Sequence, residues 1–148
     1  AHKYALQKVY ITWALTNSVE PGDLIIFYRM GETLPKKYSS VVTTLCMVDE
    51  IISNISSESE LLSLCQNRSV FTESELRDFW RAHSNNLKIL KFIFVKSFTK
   101  RPTLDFLWNI GAVKAPNGPR PFTLISDDVF DRILLEAKTK VKYIDKVD

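Results

Sequence analysis

The sequence predicts an α+β domain, a curved and mainly antiparallel sheet or small barrel with helices at its side. Three observations carry that prediction. Runs with the period of strands open the chain, two helix starts with capping signals occupy its middle, and a long aromatic strand pattern returns after them. Strands, then helices, then strands again is not the βαβ alternation of a doubly wound nucleotide fold. The length of 148 residues, 45% hydrophobic and 25% charged, fits one domain with one core.

Each element has its own reason. Val9, Ile11, Trp13 and Leu15 alternate with Tyr10, Thr12 and Ala14, which predicts a strand over residues 9–15. Pro21, Gly22 and Asp23 mark a turn. Residues 24–28 (Leu-Ile-Ile-Phe-Tyr) are branched and aromatic without polar interruption, so they read as a strand buried on both faces. Residues 41–48 give a third strand, and residues 29–40, with Gly31, Pro35, Lys36 and Lys37, give the loop before it. These three strands are expected to form a meander. Ser57 with Glu60 and Thr72 with Glu75 are capping-box patterns, each opening a helix. In the second helix Leu76, Phe79, Trp80 and His83 recur at helical spacing and make one apolar face.

Residues 87–98 return to strand character, with Phe92, Phe94 and Phe98 on one face and Ile89, Ile93 and Val95 on the other. This is the expected central strand. Pro102 ends it, Leu104, Leu107 and Trp108 mark a short helix, and Gly111 is placed to end that helix in the left-handed conformation. Residues 114–121 hold three prolines and a glycine and form a stiff loop. Ser126 caps a last helix with Phe130, Ile133, Leu134 and Ala137 on its buried stripe, and Val141 and Tyr143 alternate with lysines in a closing strand.

The net charge of +3 is too small to identify a partner, but its distribution is uneven. No acidic residue lies between Asp78 and Asp105, whereas Arg81, Lys88, Lys91, Lys96, Lys100 and Arg101 all do, with His83 beside them. The carboxylates gather at helix starts, where the helix dipole favours them; Asp127 and Asp128 after Ser126 are read that way rather than as a metal or acid/base pair. Phosphate-loop, GxGxxG, HExxH and GxSxG patterns are absent, so the common enzyme plans built on them have no support. Cys46 and Cys65 form no CxxC pair and have no histidine cluster beside them, which reads as two buried thiols in a reducing compartment, with no metal site and no cofactor. No apolar run is long enough for a membrane span, and the expected location is the cytoplasm.

The run Pro21-Gly22-Asp23-Leu24-Ile25-Ile26-Phe27-Tyr28 resembles the "GD, apolar strand, aromatic" signature of the PUA-like superfamily, in particular its EVE and ASCH branches. Pro102 to Leu107, Trp108-Asn109-Ile110-Gly111, the loop Asn117-Gly118-Pro119-Arg120 and the phrase Leu124-Ile125-Ser126-Asp127-Asp128-Val129-Phe130 are similar to the later motifs of the same group, so the resemblance runs from about Tyr10 to Ile133. The chain departs from the pattern where Asn109 and Ile110 separate Trp108 from Gly111, and where residues 53–67 read as an inserted helix. The resemblance implies a single domain, a β-barrel flanked by helices, that reads RNA or modified bases in DNA through an aromatic-lined pocket. It also implies attachment to other modules, acetyltransferase-like domains among them, which suits a chain that opens without Met.

An unpaired or flipped base offers a π-face, a polar edge and a phosphate, so its site needs aromatics, amides or hydroxyls, and cations together. Tyr28 and Arg29 at a strand end, Lys36, Lys37, Tyr38, Ser39 and Ser40 in the next loop, and Trp13 on a neighbouring strand supply such groups. The stiff loop of Asn117, Gly118, Pro119 and Arg120 is the expected opposite wall. The sequence is thus read as a binding module for RNA or DNA, or for a modified base or nucleotide. An ASCH-type nuclease or small amide hydrolase, and a protein adaptor joined to a catalytic domain, are the competing readings.

Overall fold

In the computed structural model, residues 7–13, 18–66, 69 and 71–139 are described. Four strands occur among them: β1 (Gln7–Thr12), β2 (Leu24–Arg29), β3 (Val41–Ile52) and β4 (Lys88–Ser97). They form one antiparallel sheet in the order β1-β4-β3-β2, curled into a half-barrel with helices flanking it. The predicted α+β class and the central position of β4 therefore stand.

Two sheet expectations need correction. The first strand pairs with β4, in the register Val9 opposite Lys91 and Ile11 opposite Ile89, so the meander is formed by β2, β3 and β4 instead of the first three strands. Local period predicts a strand but carries no information on its partner. β2 is not buried on both faces either: among the described strands it lies at the edge, and each residue from Leu24 to Tyr28 is half-buried. An uninterrupted apolar run fits an edge strand as well as a central one when both faces are partly covered. The strand at residues 9–15 stops earlier, with Trp13 in a bend and residues 14–17 outside the described set. Residues 141 and 143, expected in a closing strand, are also outside it.

The chain separates into two compact units. The first, Ala1–Ile25 with Cys46–Val95, contains α2 (Glu58–Cys65) and α3 (Glu73–His83), preceded in the chain by the one-turn α1 (Lys36–Ser39) of the second unit. Its core is Val9, Ile11, Ile55, Leu61, Cys65, Leu76, Leu87 and Ile89, with Phe71, Phe79 and Trp80 packed on the outside. The Thr72 hydroxyl accepts from Glu75 N at 3.2 Å and the Glu75 carboxylate accepts from Thr72 N at 3.0 Å, the full capping box that the sequence predicts. At α2 the box is shifted by one residue: Ser57 caps Glu60 N, but the Glu60 carboxylate accepts from Ser56 N. Arg77 joins the two helices through Glu58 of α2 and Glu73 of α3. Hydrogen bonding to Glu73 and then to Glu58 holds its guanidinium pKa above the ordinary value.

The second unit, Ile26–Leu45 with Lys96–Asp148, contains α1, α4 (Leu104–Asn109) and α5 (Asp127–Glu136). Val41, Val42, Leu45, Phe98, Leu104, Leu107, Ile133, Leu134 and Ala137 are its buried apolar residues. The segment after β4 stays beside the start of β3: Phe98 N donates to Thr43 O, Val42 N to Pro102 O and Leu104 N to Ser40 O, all within 2.8–2.9 Å. Thr103 caps α4, and Gly111 beyond its end has φ +76°, the left-handed turn its position predicts. Ser126 caps α5, as expected from the hydroxyl before the acidic pair.

Candidate functional site

The second unit brings together most of the residues singled out from the sequence. Tyr28 is the last half-buried residue of β2, and Arg29 behind it is exposed where the strand leaves the sheet. The loop at 117–120 stands against this strand end. A methyl group built on Gly118 would lie 3.4 Å from Tyr28 Oη, so the tyrosine hydroxyl and the loop backbone are in van der Waals range. Trp108 Nε1 donates to Asn117 O at 2.8 Å, and Asn117 N donates to Lys114 O at 3.0 Å, so the loop is fixed at its entry. At its exit, the Thr123 hydroxyl donates to Arg120 O at 2.6 Å. Pro119 is half-buried, and the Asn117, Gly118 and Arg120 residues are exposed.

The loop after Arg29 is not the open connection that the sequence predicts, because residues 36–39 form a helical turn. Its two serines are committed to its own shape. The Ser40 hydroxyl, buried, accepts from Gly31 N at 2.9 Å, and the Ser39 hydroxyl donates to Thr33 O at 2.6 Å. Gly31 is required here: a Cβ would fall 2.4 Å from the Ser39 backbone. Lys36 is exposed, with Nζ 4.0 Å from Met30 Sδ, and Lys37 Nζ lies 5.0 Å from the centre of the Tyr38 ring.

Trp13 belongs to the other unit. Its ring stacks on His83 with 4.1 Å between centroids and 4° between planes, and tilts against Phe79 at 5.1 Å. Asn86 Nδ2 donates to Trp13 O at 3.2 Å. His83 is thus a stacking partner at the end of α3, in keeping with its place on the apolar helix face.

Of the basic stripe between residues 78 and 105, half is neutralised locally. Arg81 pairs with Asp78 at 3.2 Å, Lys91 with Glu50 at 3.6 Å and Lys100 with Glu136 at 3.0 Å. Arg29, Lys36, Lys37 and Arg120 have no carboxylate within ion-pair distance among the described residues. Asp127 and Asp128 sit in the first turn of α5, exposed, with Asp128 paired to Arg132 at 3.3 Å, which is the helix-start role expected of them. Both cysteines are buried, and burial raises the Cys65 thiol pKa to about 11 against a smaller lowering by Lys91. Among the described residues no three His, Cys, Asp or Glu side chains are grouped to hold a metal ion, and no helix is long and apolar enough to cross a membrane.

Trp108, which the sequence marks only as part of a short helix, also fixes the 117–120 loop through its indole N–H. The signal was available: an indole N–H near a Pro/Gly-rich loop needs an acceptor, and loop carbonyls are the nearest supply.

No protein-family model matches the chain, and no curated protein matches it. The ASCH protein of Zymomonas mobilis is similar in structure, with a TM-score of 0.63 at 15% identity over 90% of this chain and 85% of that one. A serine-to-alanine variant of the same protein gives 0.61 at 16% identity, over 89% of this chain and 84% of that one. The shared property at these identities is the fold, the one to which the motifs at 21–28 and 102–130 point.

Proposed function

We propose that this ASCH-fold chain is a nucleic-acid-binding module, with its ligand held by the second unit between the end of β2 and the 117–120 loop. The observation that supports this most is the approach of Gly118 to the Tyr28 hydroxyl, which sets an aromatic residue and its neighbour Arg29 against a loop already fixed by Trp108 and ending in Arg120. In this reading Tyr28 offers its ring to a base. Arg29 and Arg120, together with Lys36 and Lys37, meet phosphates, since none of the four has a carboxylate partner among the described residues. A loop ordered before binding also lowers the entropy lost on binding. RNA, DNA and a modified base share this chemistry, and attachment to a catalytic domain is compatible with it.

The test is binding of fluorescent RNA and DNA oligonucleotides, methylated and unmodified, at two salt concentrations. Affinity that falls as salt rises, and weakens further in Arg120→Ala with an unchanged melting temperature, supports the reading, because phosphate contacts release counterions. No binding at low salt to any of the oligonucleotides, or a Tyr28→Ala variant that loses stability in step with binding while Arg120→Ala loses nothing, ends it.

A further inference from the structure

The loop between β2 and β3 is built to hold an aromatic ring in solvent. Eight large hydrophobic side chains are exposed among the described residues, and three of them, Met30, Leu34 and Tyr38, lie within nine consecutive positions of this loop, at 65%, 79% and 56% exposure. Isolated exposed apolar residues are ordinary, whereas a concentration of them on one short loop marks a contact surface. The loop that carries them is not slack. Gly31 N to Ser40 Oγ, Ser39 Oγ to Thr33 O, Tyr38 N to Pro35 O and Ser40 N to Lys36 O close it at four points. The absent Cβ of Gly31 lets the two limbs approach more closely than any other residue permits. The chain thus fixes a backbone whose exposed side chains gain nothing for the fold.

The charge on this loop selects the partner. Arg29, Lys36 and Lys37 stand against one carboxylate, Glu32, and the Lys37 ammonium lies 5.0 Å from the centre of the Tyr38 ring. The ammonium lies over one face of the ring, and the ring is still 56% exposed; an aromatic ring and a cation on a fixed backbone are the combination that single-stranded nucleic acid uses, the ring stacking on a base and the cation meeting the adjoining phosphate. A duplex withholds its base faces and offers this loop phosphates only.

We infer that the loop at residues 30–40 is a stacking site for an unpaired base, with Tyr38 as its platform and Lys36 and Lys37 as its phosphate contacts, so that the chain prefers single-stranded nucleic acid to duplex. This rests on the nucleic-acid reading above and adds to it a second stacking platform, which shares Lys36 and Lys37 with that site, and a strand preference. Tyr38 was not among the residues placed in the Tyr28 pocket, and its exposure leaves the fold independent of it.

The experiment measures binding of the full chain to one sequence as a single strand and as a duplex, and to vesicles of phosphatidylserine and phosphatidylcholine. Wild type is compared with Tyr38→Ala, Tyr38→Phe and Lys36→Ala with Lys37→Ala. The expected result is a single-strand preference that Tyr38→Ala abolishes, with affinity for the single strand falling about fivefold to a hundredfold, the range for one lost base stack. Tyr38→Phe keeps the preference because it keeps the ring. The lysine pair instead flattens the salt dependence on both forms. Circular dichroism melts of each variant should overlay wild type, and Tyr38→Phe keeps the test valid if Tyr38→Ala does not fold. Equal binding of both forms, or single-strand affinity unchanged in Tyr38→Ala, overturns the inference and leaves the nucleic-acid reading intact. Binding to vesicles with no binding to either oligonucleotide overturns both.

Discussion

The two compact units carry opposite net charges of equal size among their described residues. The first has five Lys and Arg against nine Asp and Glu among its described residues, a net of −4; the second has ten against six, a net of +4. Their cations are also used differently. In the first unit Arg77, Arg81 and Lys91 each meet a carboxylate, and four of the nine acidic groups stand in the first turns of α2 and α3, where they cap and complement helix dipoles. In the second, Arg29 at the end of β2, Lys36 and Lys37 in α1 and Arg120 in the 117–120 loop have no such partner among the described residues. The overall charge of +3 conceals this. The difference teaches that carboxylates neutralise three of the first unit's five described cations, whereas among the second's ten they neutralise two, Lys100 and Arg132.

The largest effect that would break this contrast is in the core of the first unit. Leu61 is fully buried, and Leu61→Ala should destabilise the chain by about 2–5 kcal/mol through lost burial and the cavity left behind. Urea denaturation checks the number. Oligonucleotide affinity of the protein that remains folded should not change, and a loss there would make the first unit part of the binding surface.

A sharper test sets cations of the two units against each other. Arg29→Ala with Arg120→Ala should lower the salt slope of binding by about 1.4 for a single strand or about 1.8 for a duplex, two phosphate contacts in either case. Melting temperature should be unaffected, as neither arginine has an ion pair to lose. Arg77→Ala and Arg81→Ala should leave the slope alone. If the first-unit pair changes the slope instead, the charge contrast has no bearing on binding.

Smaller in size is the loss of one helix cap. Thr72→Ala removes the hydroxyl that accepts from Glu75 N and should cost about 1 kcal/mol in a chemical melt, with no change in affinity. The smallest effect is a pH dependence from Cys65. Its folded pKa of about 11 lies above the ordinary value of 9.0, so the unfolded chain ionises first. The stabilisation is complete below pH 9 and declines as pH rises from 9 toward 11. Comparing melts of wild type and Cys65→Ala from pH 8 to 10.5 isolates it: the wild-type midpoint should fall more steeply, and parallel curves would show that the thiol is not held protonated by the fold.

Helix starts were legible in the sequence because caps act over three residues: Ser57, Thr72 and Ser126 each accept the bond their position predicts. Gly111 was legible for the same reason, as a turn with positive φ requires a residue without Cβ. The strand at residues 88–97 and the α+β class followed from hydrophobic period, and the motifs at 21–28 and 102–130 pointed to the fold that the Zymomonas mobilis structures share.

Strand pairing was not legible. Whether β1 joins β2 or β4, and hence whether β2 is central or at an edge, depends on contacts between residues more than seventy positions apart, and a single strand's alternation is the same in either sheet. The candidate site divides along the same line. That Tyr28, Arg29, Lys36, Lys37 and Arg120 are chemically suited to a base and its phosphates could be read from their types. That Ser39 and Ser40 close a loop, that Trp108 holds Asn117, and that Gly118 meets Tyr28 are relations across 6 to 90 residues of chain, set only when packing brings the segments together. Local chemistry determined which residues start helices and turn the backbone; the packing of distant segments decided which side chains remain for a ligand, because a hydroxyl or a ring is free or engaged only in relation to what lies beside it.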